Sequence, residues 1–391
     1  MTRTQVLAVA AIGGYLCFIP FETNPDLATF LLLSFGLLAA NQRDRLRLGL
    51  QQVDYLVVAA VVLAASLSAL LSSEPIRGLD YLVYLSINLF LLLLASVLAG
   101  KSAAKASALL IGLFGVAHLV SLMVASQSPG VTDANSLISQ AGMTTLIVPN
   151  DALILGLCLP SLALVLLDVN RRWTVPAYAI LAIYTALSVF ACYLLQSKVA
   201  LLGLLMAVGS LALIRFLLPR RNAAGLSPLP VLGILLTAIL LSGGLAWYLG
   251  NQSTTRLSLW IEASVAHSSI QEIIFGAGPN TFLFNPSAAE AMFDKGDLVI
   301  PWVHNLYLEA WHDQGLMGLL PLIALTLLPM LRALRIEDRN VRTMILASMV
   351  TFILVALVEV TLTRRFYFAF LALFYGLALG QTKESINEQS N

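Results

Sequence analysis

The sequence VHNLYLEAWHDQGLMG at residues 303–318 brings histidines and carboxylic acids together in a chain that is otherwise poor in charge. Neutral imidazole is the side chain best suited to accept a proton near pH 7, so His304 is a candidate general base. It could equally be an interfacial histidine that hydrogen-bonds to a neighbouring loop. On a helix beginning near residue 303, Asn305, Glu309 and Asp313 would share one side. Glu309, Asp313 and His312 could orient His304 or form a solvated rim, and we expect the rim.

The spacing of the candidate ligands argues against a metal site. His304 and His312 are eight residues apart, and no H-E-x-x-H motif is present, so zinc is not expected. Magnesium would require clustered carboxylates. The acids predicted to lie outside the membrane are instead scattered along the chain: Asp133, Glu262, Glu272, Glu290, Asp294 and Asp297. We therefore predict chemistry without a metal or another cofactor.

The composition indicates which elements must position these residues. Hydrophobic residues make up 59% of the 391 residues and charged residues only 11%, whereas soluble domains carry about 25% charged residues. Apolar runs at 55–71 and 229–249 are close to the length that crosses a bilayer as a helix. Transmembrane barrels would show short alternating segments instead. The chain is therefore predicted to be an all-α integral membrane protein.

Counting apolar runs predicts about twelve transmembrane helices in a single transmembrane domain, residues 1–391. They are centred near residues 13, 33, 62, 89, 115, 159, 184, 208, 239, 322, 352 and 373. Most of the 22 lysines and arginines fall in the loops of one face. The positive-inside rule assigns that face, with both termini, to the cytoplasm.

One long loop, residues 251–303, is predicted on the outside between spans 9 and 10. Residues 257–274 have apolar positions at helical spacing, consistent with a helix that lies along the membrane surface. A glycine-rich turn follows, and then Asn285 and Pro286 are typical of a helix start. The loop is therefore predicted to be a folded cap of two short helices.

Six cations at the outside face depart from the charge trend. Arginine and lysine there could bind the phosphates of a lipid-linked substrate, or they could anchor the protein to lipid headgroups. The anchoring role is the simpler expectation for Arg77 and Lys295. Both roles are open for Arg256 and Lys198, and at most one of the adjacent pair at 364–365 is expected to face a pocket.

The stretch that begins at His304 resembles a known signature. It fits the pattern His, then Asn, Ser or Gln, nine residues, then Gly-x-x-Gly, with His304, Asn305, Gly315 and Gly318 in the defined places. This pattern resembles the periplasmic-loop signature of bacterial O-antigen ligases. Upstream residues look like the R-x-x-x-W and G-x-G-x-x-x-F features of the ligase and polymerase superfamily, here Arg256, Trp260, Gly276, Gly278 and Phe282.

The resemblance implies a GT-C-like polytopic glycosyltransferase fold and assigns roles to residues. Arg256 matches the family arginine thought to bind a diphosphate, and His304 matches the histidine thought to activate an acceptor hydroxyl. The family often has Ser-Arg before the eighth span, where this chain has Ser197 and Lys198. Lysine keeps the charge but loses the bidentate fork. Lys198 and Arg365 are expected to assist Arg256 at the diphosphate.

The implied reaction moves a glycan from undecaprenyl diphosphate to a sugar hydroxyl of the lipid A core, with inversion and without metal. The expected partners are this lipid-linked donor, the lipid A-core acceptor and membrane lipids, with no nucleic acid. The expected location is the bacterial inner membrane, with the active site in the periplasm. A polymerase of the same superfamily is the main alternative. A lipid-linked glycan transporter is a weaker one, since its charges would lie along the bilayer midplane.

Overall fold

The computed structural model of the protein describes residues 1–18, 32–33, 52–72, 75–125, 152–168, 174–195, 197–217, 254–279, 281–282, 303–359 and 365–389. Within these ranges the chain forms helices and no strand, as predicted. The helices are α1 (Arg3–Phe18), α2 (Gln52–Leu71), α3 (Pro75–Ser96), α4 (Lys101–Ala125), α5 (Leu153–Leu167), α6 (Thr174–Leu194), α7 (Lys198–Leu217), α8 (Thr254–Val265), α9 (Ile270–Phe275), α10 (Leu306–Ala333), α11 (Arg339–Ala356) and α12 (Arg365–Gln389).

Six of these helices, α2, α4, α6, α7, α10 and α11, are long and apolar enough to cross a membrane. Shorter apolar segments lie in α3, α5 and α12. The chain is therefore a multi-pass membrane protein, as its composition indicates. Ten predicted spans coincide with helices, whereas those near residues 33 and 239 lie almost wholly outside the described residues. A total of twelve spans stays a prediction.

The centre of the helix bundle is formed by α5 and α11. Every residue of α11 from 341 to 356 is buried, and α5 is buried from 153 to 164. A helix that is hydrophobic all round belongs in the interior of a large protein. Because α11 contacts α5, α7, α10 and α12, the short segment after it, residues 357–359, is held in the middle of one end of the bundle. We call this end the site face and the opposite end the far face.

The loops that the charge pattern assigns to one side meet at the far face. Lys101, at the start of α4, lies 2.8 Å from the Asp338 carboxylate before α11, and it also approaches Asp168 at the end of α5. Lys105 forms an ion pair with the same Asp168. The ends of three helices are therefore joined by charge at the face where sequence places most of the cations.

The segment that was predicted to be one surface helix, residues 257–274, is divided between α8 and α9. The division follows from a capping box. The Ser269 hydroxyl accepts from the Glu272 amide at 3.2 Å, and the Glu272 carboxylate accepts from the amide and the hydroxyl of Ser268. These reciprocal hydrogen bonds start a new helix at Ile270. The second predicted helix of the cap, beginning at Asn285, lies outside the described residues.

A buried charged pair joins α2 to α10 at the far face. Asp54 is fully buried, and its carboxylate accepts a 2.8 Å hydrogen bond from the Arg332 guanidinium and a 2.6 Å bond from the Tyr375 hydroxyl of α12. At the other end of α2, the Ser68 hydroxyl donates to the Asp313 carbonyl of α10 at 2.5 Å. Helix α2 is thus bonded to α10 at both ends, and this sets the height at which α10 begins.

Asp54→Ala should destabilise the protein far more than Tyr375→Phe. The first change leaves the buried Arg332 charge without the carboxylate, a loss of about 3–5 kcal/mol in the free energy of unfolding. The second removes one hydrogen bond, worth about 1 kcal/mol. Thermal unfolding of the purified protein in detergent checks this order. Equal midpoints for the two variants would mean that the pair contributes little.

Candidate active site

Helix α10 begins later than its sequence pattern predicts. Asn305 is its N-cap, and the side-chain oxygen of Asn305 accepts from the amides of Tyr307 at 3.0 Å and Leu308 at 3.1 Å. His304 therefore precedes the helix and does not lie on its side, so the expected helix start near residue 303 is wrong. The backbone of His304 has φ 56°, a left-handed conformation that costs a non-glycine residue about 1–3 kcal/mol. Such strain persists where the surroundings hold the residue in place.

The partner that holds His304 is a buried carboxylate. The Nδ1 atom of His304 lies 3.0 Å from Oε1 of Glu359, and the two residues are 6% and 0% exposed. An ionised carboxylate can only accept a hydrogen bond, so Nδ1 carries the proton and donates it. This bond fixes the tautomer in which Nε2 is the basic nitrogen. It also places a negative charge where it stabilises a protonated imidazole, as in the histidine–carboxylate pairs of hydrolases.

Asn305 connects the chain segment that carries His304 to the segment that carries Glu359. While its oxygen caps α10, its side-chain amide donates to the Leu357 carbonyl at 2.9 Å. Leu357 lies two residues before Glu359, in the segment that follows α11. One side chain therefore ties the residue after His304 to the residues before Glu359. This gives a physical reason for the hydrogen-bonding residue that follows histidine in the motif.

Glu359 is an ionisable group within an apolar segment, a feature of the sequence that is often functional. Along the chain, its nearest cations are Arg364 and Arg365. The structure instead puts the Glu359 carboxylate on His304, 55 residues earlier. Arg364 and the side chain of Arg365 lie outside the described residues.

The loop helix α8 is fastened to the residue before His304. The indole N–H of Trp260 donates to the Val303 carbonyl at 3.0 Å, and Val303 packs with Leu259, Ala263 and Phe282 in a small separate core. Arg256 lies in the first turn of α8, one helical turn before Trp260. Residues four apart share a helix face. The R-x-x-x-W spacing therefore sets the backbone of Arg256 on the face of α8 that is attached beside His304.

A break in α10 provides the second attachment of the loop. Gly315 has non-helical dihedral angles, φ 60° and ψ −155°, so the carbonyls of the preceding turn accept hydrogen bonds from outside their own helix. The carbonyl of His312 accepts from the Ala277 amide at 2.8 Å. The carbonyl of Asp313 accepts from the Gly278 amide at 3.0 Å as well as from Ser68.

The glycines of the motifs are required because these backbones touch. A Cβ on Gly276 would lie 2.2 Å from the carbonyl carbon of Asp313, and one on Gly315 would lie 2.6 Å from that of Ile274. Both glycines have positive φ, which favours glycine independently of space. Gly278 instead meets the side chain of Ser72, the residue after α2, and Gly318 makes room for the side chain of Gln314. The turn that contains Gly276 and the break at Gly315 thus pack directly against each other.

The polar side chains expected to form a solvated rim are buried. Glu309, His312 and Asp313 are all buried, so the rim interpretation is wrong. Gln314, beside them, is buried as well. The break at Gly315 explains why, since it lets the loop and α2 close over this part of α10. Nδ1 of His312 lies 2.8 Å from the carboxylate of Asp313, and the ring of Phe282 meets His312 edge-on at 5.0 Å.

His267 attaches the linker between α8 and α9 to the same turn of α10. Its Nε2 donates to the Trp311 carbonyl at 3.0 Å, and the Trp311 indole donates to the Ser264 carbonyl at 3.3 Å. Burial lowers the pKa of His267 below its ordinary range, and the hydrogen bond to Trp311 opposes this shift only in part. The neutral ring is therefore the form that holds the linker.

The structure brings most of the predicted residues together, but it does not place the side chains of the three predicted cations among them. His304, Asn305 and Trp260 lie at the start of α10, and the four motif glycines lie around its break at Gly315. Lys198 is the first residue of α7 and is exposed, and no hydrogen bond or ion pair joins it to these residues within the described ranges. The side chains of Arg256 and Arg365 are not among those described.

The donor set offers no evident metal site. In the ranges given above, no three histidine, cysteine or carboxylate side chains are grouped as a metal ion would require. A metal-free site stays a prediction.

Helices that cross the membrane, a buried histidine–carboxylate pair and a loop docked beside it define a polytopic membrane protein with one candidate active site. Residues 183–323 match the family model described as O-Antigen ligase. The match confirms the resemblance that the motifs indicated, and it shows that this segment is similar to the O-antigen ligase domains of the ligase and polymerase superfamily. Its members are glycosyltransferase-like enzymes, and the family implies lipid-linked glycan substrates. A comparison with curated proteins gave no significant match.

Asn305→Ala should lower the free energy of unfolding more than Asn305→Ser. Alanine removes the cap, worth about 1 kcal/mol, and the bond to Leu357, worth about 1 kcal/mol. Serine keeps an oxygen that can cap α10 and loses only the bond to Leu357. The midpoints of thermal unfolding measure the difference. If serine and alanine were equally destabilising, the capping role would be wrong.

Proposed function

We propose that the protein is an O-antigen ligase. It transfers a glycan from undecaprenyl diphosphate to a sugar hydroxyl of the lipid A core, with inversion and without a metal. The site face is the periplasmic face of the bacterial inner membrane, and both termini are cytoplasmic. The observation that carries this proposal is the buried bond between His304 and Glu359 at the entrance of α10. His304 lies inside the matched residues 183–323, and Glu359 lies beyond them.

His304 is the general base. Its Nε2 removes the proton of the acceptor hydroxyl, and the acceptor oxygen forms a bond to the anomeric carbon of the donor. The bond from that carbon to the diphosphate breaks on the opposite side, and the electron pair leaves with the diphosphate. Glu359 keeps Nδ1 protonated and stabilises the imidazolium that results. The buried position of both residues strengthens this electrostatic contribution.

Arg256 binds the departing diphosphate. A guanidinium matches phosphate oxygens bidentately, and without a metal such cations stabilise the leaving charge. The support for Arg256 is the attachment of α8 beside His304 through Trp260 and Val303. Lys198, at the start of α7, and Arg365, at the start of α12, assist it. Lys198 is exposed and can reach a substrate that enters from the membrane surface.

A polymerase of the same superfamily is the second candidate. It would use the same base and the same diphosphate site, and it would differ in the acceptor, which would be another lipid-linked repeat. The single long loop predicted between spans 9 and 10 fits the ligase slightly better.

A lipopolysaccharide gel from a deletion strain, beside an analysis of the undecaprenyl-linked pool, tests the proposal. A ligase predicts that the whole ladder is lost while long polymer stays on undecaprenyl diphosphate. A lipid A core that carries only a single repeat in the deletion strain would mean that the protein is a polymerase. Unpolymerised donor trapped on the cytoplasmic side would mean a transporter. Complementation with the wild-type chain is the control.

His304→Ala should lower the rate of ligation by about 10²- to 10⁴-fold, because general-base catalysis is lost. Glu359→Gln should also lower it, by up to about 10⁴-fold, because an amide cannot stabilise the imidazolium. Ligation is measured with purified protein and lipid-linked donor. Glu337→Gln, an exposed position beyond the far end of α10, is the matched control and should stay active. Near-normal ligation by a well-expressed His304→Ala variant would refute the base assignment.

Arg256→Lys should fail to restore the activity that Arg256→Ala loses. Lysine keeps the charge but cannot make two parallel hydrogen bonds to a phosphate. The measured quantities are kcat and KM for the lipid-linked donor. Full rescue by lysine would reduce the role of Arg256 to charge alone. Equal activity of the wild type, Arg256→Lys and Arg256→Ala would mean that Arg256 does not bind the diphosphate.

A further inference from the structure

The two loop helices expose large apolar side chains to their surroundings. Ile261 and Val265 on α8 are 53% and 66% exposed, and Ile270 and Ile274 on α9 are 76% and 36% exposed. In each helix the two residues are four apart, so they form a stripe on one face. We call these four residues the loop patch.

The opposite faces of the same helices are attached to the protein or are polar. Leu259 and Ala263, opposite the stripe of α8, are buried in the small core with Val303. On α9, Glu272 lies opposite the stripe and bonds back to Ser268. Both helices are therefore amphipathic, and the apolar sides face away from the site.

Contacts with α10 place the loop patch beside residues 311–315 of that helix. The end of α8 is bonded to Trp311 through the Ser264 carbonyl, and the carbonyl of Ile274 meets Gly315 one turn later. Trp311 and Gly315 are four apart and share one face of α10. Both loop helices therefore end against the same side of α10, on successive turns.

The next turn of α10 is exposed and apolar. Leu316, Met317 and Leu320 are 40%, 36% and 61% exposed in a helix that is apolar enough to cross the membrane. The last turn of α2, another such helix, also contacts α10 here. Its Ser68 hydroxyl donates to the carbonyl of Asp313, two residues before Gly315. Two helices that are apolar enough to cross the membrane thus meet near Gly315, and the loop patch lies beside the exposed apolar surface of α10.

We propose that the loop patch inserts into the acyl-chain boundary of the bilayer leaflet at the site face. Its partner is phospholipid, and its binding rests on buried apolar area, since no lysine or arginine belongs to it. Trp311 of α10 is partly exposed beside the loop helices. Tryptophan is enriched at the interface between membrane and water, which agrees with this position. This anchoring is independent of the reaction that the site catalyses.

Anchored loop helices behave differently from a lid. Backbone bonds from 277 and 278 and the His267 bond hold them to α10, and the lipid contact holds their other side. They form a fixed rim that keeps α8, and with it Arg256, at a constant depth. The lipid-linked donor then reaches the site without lifting these helices.

The test uses the full chain in phospholipid vesicles that contain no polyprenyl lipid. In a background with Cys17, Cys158 and Cys192 replaced by alanine, an environment-sensitive fluorophore is attached to Val265→Cys or Ile270→Cys. Gln271→Cys, an exposed polar neighbour on α9, is the matched control. Size-exclusion chromatography confirms that each variant is folded.

Fluorophores at 265 and 270 should have blue-shifted emission, should be quenched by phospholipid spin-labelled near the top of its acyl chain, and should resist aqueous iodide. The fluorophore at 271 should be quenched by iodide several-fold more strongly. Equal access of iodide to 270 and 271 would overturn the proposal. So would protection from iodide without quenching by lipid, which would indicate a second copy of the chain, and so would lipid-like emission that arises only after undecaprenyl diphosphate is added.

Discussion

The break of α10 at Gly315 is the constraint on which the site depends. Backbone carbonyls at a membrane boundary must be hydrogen-bonded, because leaving them unpaired costs several kcal/mol each. The break releases the carbonyls of residues 311–313, and three different parts of the chain satisfy them: the linker at His267, the turn at 277–278 and Ser68 of α2. One local disruption of a helix therefore joins the loop, the membrane bundle and the start of α10. Gly276 and Gly315 are required because these contacts are made between backbones.

The pair of His304 and Glu359 depends on this arrangement and adds its own support. His304 sits outside the helix in a strained conformation, and three bonds hold the residues around it: Trp260 to Val303, Asn305 to Leu357, and Glu359 to the imidazole itself. The first residue before the histidine and the first after it are each tied to a different element. If His304 acts as the proposed base, its fixed neighbours pre-organise it, so little free energy would be spent on orienting it during the reaction. The hydrogen bond to His304 gives the fully buried Glu359 carboxylate a polar partner inside an apolar bundle.

Much of the fold could be predicted, because hydrophobic runs of bilayer length are a property of local sequence. Ten predicted spans coincide with helices. Errors arose where hydrogen bonds between side chain and backbone override helical periodicity. The Asn305 side chain moved the start of α10 past His304, and the capping box at 268–272 divided the surface helix in two. Glu309 and Asp313 were expected at a solvated rim, and tertiary packing buried them.

The sequence by itself determined the class of protein, the approximate helices and the identity of the motif residues, since composition, periodicity and short spacings are local quantities. Only the tertiary structure decided what those residues touch. Glu359 meets His304 across 55 residues, and Ser68 meets Asp313 across 245. Hydrogen bonds between residues so far apart leave no spacing that a single sequence reveals. Gly276 and Gly315 show the difference. The sequence motif predicted their positions, but the reason for them, a close contact between two backbones, exists only in the folded chain.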